Sequence, residues 1–195
     1  MNTKVITALL AGLTVAVGVY LVIDRNGIIA WLTLLAGGAL LTKALIKPGP
    51  RDLLLTLGTA VVLVAAWVGT FYYVISTWET GEVVELDIQT NDGTHTARVW
   101  VLDLEADPTI YYDAPSQAAN ALLAGKPLQF TRAGETTTRI PEARVADELP
   151  EEEANRVFEA MLEKYGDRNQ VTDIYYLTLG RSADQVGVVA TLRAP

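Results

Sequence analysis

Three apolar stretches dominate the first 76 residues: Val5 to Ile23, Ile28 to Ile46 and Leu53 to Ile75. Each is 19 residues or longer, about the length that crosses a ~30 Å hydrocarbon core as a helix. The breaks between them, Asp24-Arg25-Asn26-Gly27 and Lys47-Pro48-Gly49-Pro50-Arg51-Asp52, are so short that neighbouring helices are expected to pack antiparallel in a three-helix bundle. Lys43 lies close enough to the end of the second stretch to snorkel toward the headgroups. Trp67, Phe71, Tyr72, Tyr73 and Trp78 close the third stretch as an interfacial aromatic cluster. A cleavable leader does not fit the first stretch, because no small-x-small site follows Val22-Ile23-Asp24 and two more spans come directly after it.

The pattern then changes period. From Glu82 to Thr90 polar and apolar residues alternate, with Val84, Leu86 and Ile88 on one face, as in a half-buried strand. Asn91-Asp92-Gly93 predicts a hairpin turn. Thr94 to Leu104 follows, with Arg98, Trp100 and Leu102 on one face and Ala97, Val99 and Val101 on the other. Pro108 to Asp113 predicts a third strand, and Ser116 to Leu123 a short helix closed by Gly125. Pro127 to Arg132 and Thr136 to Ala146 predict a further strand pair. From about Pro150 to Tyr165 runs a helix with three glutamates in its first turn, where the helix dipole favours negative charge. Its apolar stripe is Ala154, Phe158, Met161, Leu162 and Tyr165. Val171 to Leu179 suits a helix or a strand, and Val186 to Leu192 is the closing strand. Mostly strands with two inserted helices, this half is expected to form an α+β antiparallel barrel. The organisation is thus an anchor at 1–76, a linker at 77–81 and a barrel domain at 82–195.

Charge separates the same two halves. Five basic and two acidic residues precede Thr77, leaving ten basic and twenty-one acidic residues after it, a formal charge of −11 on the C-terminal half. Nucleic acid is disfavoured as a partner, since phosphate contacts need clustered Lys and Arg. With no cysteine, disulfides, thiolate metal sites and cysteine nucleophiles are excluded. Lys4, Lys43, Lys47 and Arg51 fall on one side of the membrane and only Arg25 on the other. A multi-pass inner-membrane protein is therefore expected, with a cytoplasmic N-terminus and a periplasmic or extracellular barrel. Ala8, Gly12 and Ala16, and likewise Ala65 and Gly69, repeat at the four-residue spacing that lets helices approach closely. Either packing within the anchor or docking of another membrane protein would use them. The three stretches hold no buried acid or histidine, so ion transport has no visible machinery.

Four segments carry a resemblance in their order and spacing. They are Ala97-Arg98-Val99-Trp100-Val101-Leu102-Asp103, Leu122-Leu123-Ala124-Gly125-Lys126-Pro127, Met161-Leu162-Glu163-Lys164-Tyr165-Gly166 and the strand closing at Pro195. In these, residues 82–195 resemble the deazaflavin-dependent nitroreductase family, part of the split β-barrel group that includes pyridoxamine phosphate oxidase-like flavoproteins. The resemblance implies a split barrel, a flavin or deazaflavin cofactor used for hydride transfer, and a homodimer. By position it assigns cofactor contacts to Arg98, Ser116 and Gln117; no catalytic residue and no metal ligand is implied. The turn Asn91-Asp92-Gly93-Thr94 carries no cation where the family places a basic phosphate grip, and Ala118 to Ala121 lack its aromatic pair.

The residues themselves leave other uses open. Arg98 beside Trp100 would hold an anion or pair with a neighbouring carboxylate. His95, the only histidine, has no metal-ligand partner at ligand spacing. Tyr111-Tyr112 and Tyr175-Tyr176 suit a cleft lining or ordinary strand faces, and Glu151 to Glu153 suit a solvated helix start. Two functions remain: a membrane-held oxidoreductase binding a planar cofactor or small ligand, or a non-catalytic accessory subunit of a larger membrane complex whose barrel is an interaction module. An open barrel cleft would favour the first and a filled one the second.

Overall fold

A computed structural model of the chain describes residues 3–47, 49–104, 106–166 and 170–195; Pro48 of the second predicted turn lies outside them. Its elements are α1 (Thr3–Asp24), α2 (Ile28–Ile46), α3 (Asp52–Trp78), β1 (Val83–Thr90), β2 (Gly93–Leu102), β3 (Thr109–Pro115), α4 (Ser116–Leu123), β4 (Leu128–Arg132), β5 (Glu135–Val145), α5 (Glu151–Tyr165), α6 (Gln170–Thr178) and β6 (Gln185–Arg193). They form two compact units: Met1–Ser76 with Gln170–Ala183, and Thr77–Asn169 with Asp184–Pro195.

In the first unit, three helices are long and apolar enough to cross a membrane. Helices α1 and α2 pack closely, and α3 makes no comparable contact with either among the described residues, so the anchor is a hairpin plus a separate span and not the expected three-helix bundle. The hairpin contact is built mostly from small residues: Thr7, Ala11 and Gly18 on α1 are buried, as are Ala30, Thr33, Gly37 and Ala44 on α2, together with the larger Ile29. A Cβ on Gly18 would lie 2.5 Å from Leu34 Cα, and one on Gly37 2.8 Å from Val15 N, so the backbones touch where glycine permits it. The Ala8, Gly12 and Ala16 stripe lies to one side of this contact, and the positions of Gly12, Gly58 and Gly69 are open. Thr7 and Thr33 donate their hydroxyl hydrogens to the carbonyls of Thr3 and Ile29, which removes an otherwise unsatisfied donor from an apolar environment. Asp52, one residue before the third apolar stretch, is buried; it pairs with Lys43 at 2.9 Å, so Lys43 spends its charge on protein.

In the second unit, six antiparallel strands close in the order β1-β2-β3-β6-β5-β4, β4 returning to β1 through Leu86 opposite Phe130. The expected α+β barrel is present, with both helices, α4 and α5, starting within a residue of their predicted positions. Asn91 and Asp92 form the β1–β2 turn between the paired Thr90 and Gly93. Val84, Leu86, Ile88, Ala97, Val99, Val101, Ile110, Leu128, Phe130, Val188 and Leu192 point inward. Helix α4 contributes Ala118, Ala119, Ala121 and Leu122 to the same core and packs against β1, β3, β5 and β6. Alanine is what lets a helix lie this close to four strands.

A second cluster lies on the outer face of β2, where Trp100, Leu102 and Val189 meet Val157 and Tyr165 of α5. Tyr165 stacks on Trp100 with ring centroids 4.3 Å apart, and its hydroxyl accepts from Val101 N at 2.9 Å. These contacts set the rotation of α5. They turn Val157 and Tyr165 inward and leave Phe158 (55% exposed) and Leu162 outside, two members of the predicted stripe that the tertiary contact overrules. Trp78 also departs from the predicted interfacial cluster and packs edge-on against Trp100 at 5.5 Å, whereas Trp67 and Phe71 stack at 5.7 Å. Of residues 171–179, ambiguous in sequence, those through Thr178 are helical in α6 and Leu179 lies in the turn that follows.

Candidate functional site

The three residues assigned to a cofactor each meet another protein group. Arg98 extends from the outer face of β2 and pairs with Glu79 at 2.6 Å. Ser116, at the start of α4, donates through its hydroxyl and its backbone N–H to the carbonyl of Asp184, which ties α4 to the start of β6. Gln117 donates through Nε2 to Asp92 in the β1–β2 turn. Ser116 and Gln117 are neighbours at one end of the barrel, while Arg98 belongs to the opposite side of its sheet. Between them the barrel interior is occupied by its own side chains.

His95 shares the inward side of β2 with Ala97 and Val99. Its Nε2 lies 2.8 Å from the hydroxyl of Tyr112 on β3, a pairing that sequence spacing did not suggest because the two residues sit on different strands. Burial, with a smaller contribution from the Asp113 charge, pushes the Tyr112 phenol up to about 12, so it stays protonated at physiological pH. No group of three or more His, Cys, Asp or Glu side chains able to hold a metal ion occurs among the described residues.

The strongest electrostatic feature is a four-member network at the C-terminal end of α5. Arg132 forks onto Asp103 at 2.7 and 2.9 Å and reaches Glu82 at 2.6 Å. Lys164 bonds Glu82 at 2.6 Å and Asp103 at 3.1 Å. Hydrogen bonds from Arg132 lead the causes that hold the Asp103 carboxyl at about 2 against partial burial. For Glu82, burial raises the pKa, but the hydrogen bonds and charges of Arg132 and Lys164 outweigh it and the net direction is down. Each charge here is answered by protein, so the network reads as a clasp for α5.

An open concavity of the C-terminal unit lies outside the barrel. Residues of β5, β6 and α5, with Leu104 and Thr109, line a polar groove of about 260 Å³ containing Arg144, Arg156 and Arg193 beside Glu142 and Glu153. Arg144 pairs with Glu153, and Arg193 with Glu142 at 2.8 Å. Exposed pairs of this kind are worth only about 0–1 kcal/mol each, so an anion entering the groove would compete with weak partners. Sequence reading missed this place: the three arginines come from separate elements and share no motif. The signal for two of them was placement at outward strand positions, Arg144 on β5 and Arg193 on β6, while Arg156 belongs to helix α5.

No family model matches the chain, and no curated protein matches it. Among solved structures, one aligns with a TM-score of 0.35 and 13% identity over 62% of this chain and 78% of its own length. The crystal structure of Campylobacter jejuni ChuZ aligns with a TM-score of 0.37 and 11% identity, covering 70% of this chain and 59% of ChuZ.

Proposed function

We propose that this protein is a membrane-anchored, non-catalytic assembly module, whose acidic barrel is a folded surface for a partner in a larger membrane complex. The observation that supports it is the filled barrel: the interior where a cofactor cleft would open is packed with Leu86, Val99, Ile110, Leu122, Phe130 and Leu192. Arg98, Ser116 and Gln117 are engaged by Glu79, Asp184 and Asp92, which fits a structural use for each. The small-residue positions Gly12, Gly58 and Gly69, which none of the described residues fills, suit close approach by another helix. The basic residues near the span ends favour a cytoplasmic N-terminus and a periplasmic or extracellular barrel. Extraction of native membranes in mild detergent, followed by affinity capture, should return a stoichiometric membrane-protein partner. A solitary monomer or a homodimer would overturn the proposal.

The resemblance to deazaflavin-dependent nitroreductases supports a second reading, in which a planar anionic ligand such as a flavin or deazaflavin binds. The arginine-lined outer groove is the feature that favours it, because it concentrates cations in an otherwise acidic half. A purified protein that is colourless, and stays so after added flavin or deazaflavin and desalting, would remove this reading.

A further inference from the structure

Residues 170–183 lie between α5 and the last barrel strand in sequence, yet they belong to the anchor unit. Only Arg25, Asn26 and Gly27 separate α1 from α2. A turn this short between two antiparallel apolar helices sits at the membrane surface, within reach of the headgroups.

The 170–183 segment is fastened to that turn by backbone contacts. Asn26 and Gly180 form a β-bridge, and Ala183 N donates to the Asp24 carbonyl at 2.8 Å. Ser182 Oγ donates to Asp24 Oδ1 at 3.2 Å, and Arg25 Nη1 donates to the Tyr175 hydroxyl at 3.1 Å. Two glycines make the approach feasible. A Cβ on Gly27 would lie 2.5 Å from Gly180 N, and Gly180, at φ +78°, has the Arg25 carbonyl where its own Cβ would be. Helix α6 also packs against α2.

The helix is graded in polarity along its length. Its first four residues are Gln170, Val171, Thr172 and Asp173, and its next four are Ile174, Tyr175, Tyr176 and Leu177. The apolar end adjoins the Leu179–Gly180 contact with the membrane turn, and there Leu177 is 62% exposed. Trp31, on the first turn of α2, donates its indole N–H to Asn26 Oδ1, as expected for an aromatic ring at the boundary of lipid and water.

We propose that α6 is an interfacial docking helix, which enters the headgroup–acyl boundary by its C-terminal end with Leu177 in contact with lipid. The occupant of this exposed face is the bilayer, because the face is continuous with the turn between two membrane spans. The chain would then reach the membrane at a point more than 90 residues beyond its last span.

The absence of cysteine makes the test direct. Leu177→Cys, and as a control Thr138→Cys on an exposed part of β5, are labelled with an environment-sensitive nitrobenzoxadiazole dye in the full chain. Each is reconstituted in vesicles of phosphatidylcholine and phosphatidylglycerol. At position 177 the dye should be blue-shifted, quenched by lipid carrying a doxyl group at carbon 5, and at least threefold less sensitive to aqueous iodide than at 138. Adding Gly180→Val should restore iodide sensitivity at 177. Iodide quenching at 177 equal to that at 138, without doxyl quenching, would overturn the proposal. So would protection from both quenchers, which would mean that protein covers the face. Tyr176→Cys, labelled in the same way, guards against a local effect of a single site.

Discussion

The α1–α2 hairpin and the barrel interior are both apolar contacts, yet they are assembled from opposite residues. The hairpin touches through Thr7, Ala11, Gly18, Ala30, Thr33 and Gly37 and leaves Leu9, Leu13 and Leu35 outside. The barrel buries Leu86, Ile110, Leu122, Leu128 and Leu192 completely. Solvent explains the inversion. In water, removing apolar surface gains about 25 cal/mol per Å², so the largest side chains go inside. In lipid a leucine gains nothing by leaving the hydrocarbon, and what remains is close van der Waals contact between backbones, which small residues permit. Helix α4 shows that the rule follows space as well as solvent: its buried face is alanine-rich because the closed sheet already fills most of the interior.

Truncation should therefore injure the barrel and enlargement the hairpin. Phe130→Ala is expected to cost about 3–5 kcal/mol, read from chemical unfolding of the full chain in detergent by tryptophan fluorescence. Leu35→Ala on α2, where the side chain is 65% exposed, should change stability by less than about 0.5 kcal/mol in the same assay. Equal losses at the two sites would break the comparison. Gly18→Leu should cost about 1–3 kcal/mol by overpacking, seen as a lower unfolding midpoint of the anchor; an unchanged midpoint would mean that the helices separate without penalty.

Smaller effects sharpen the barrel side. Tyr165→Phe removes the hydroxyl bonded to Val101 N and should cost about 1–3 kcal/mol, with a change in Trp100 emission as the stacked ring shifts. The Asp103 carboxyl is depressed from 3.8 to about 2, so its stabilising contribution is complete above its unfolded value and is lost as pH falls toward about 2. Lys164 is shifted the other way, burial lowering its pKa but the hydrogen bonds it donates to Glu82 and Asp103 outweighing that and raising it. Its contribution is present below 10.5 and lost as pH rises beyond its folded value. Asp103→Asn should flatten the acid limb of thermal stability against pH, an effect kept small by the partial exposure of these groups.

Much of this was legible locally. Strand alternation placed Val84, Leu86 and Ile88 inward, Gly125 closed α4, and Pro150 with three glutamates opened α5. The candidate site was less legible. Arg98, Ser116 and Gln117 could be named from resemblance, but their partners Glu79, Asp184 and Asp92 follow from how distant segments meet.

Sequence by itself determined the three spans, the change of period after Trp78 and the order of strands and helices through α5, because hydropathy over a span and alternation along a strand are properties of neighbouring residues. Tertiary structure alone decided which face of α1 is covered, how α5 is rotated, and that residues 170–183 join the anchor. Each of these depends on contact between segments far apart in the chain, as with Arg25 and Tyr175, 150 positions apart, and no local period encodes where such segments meet.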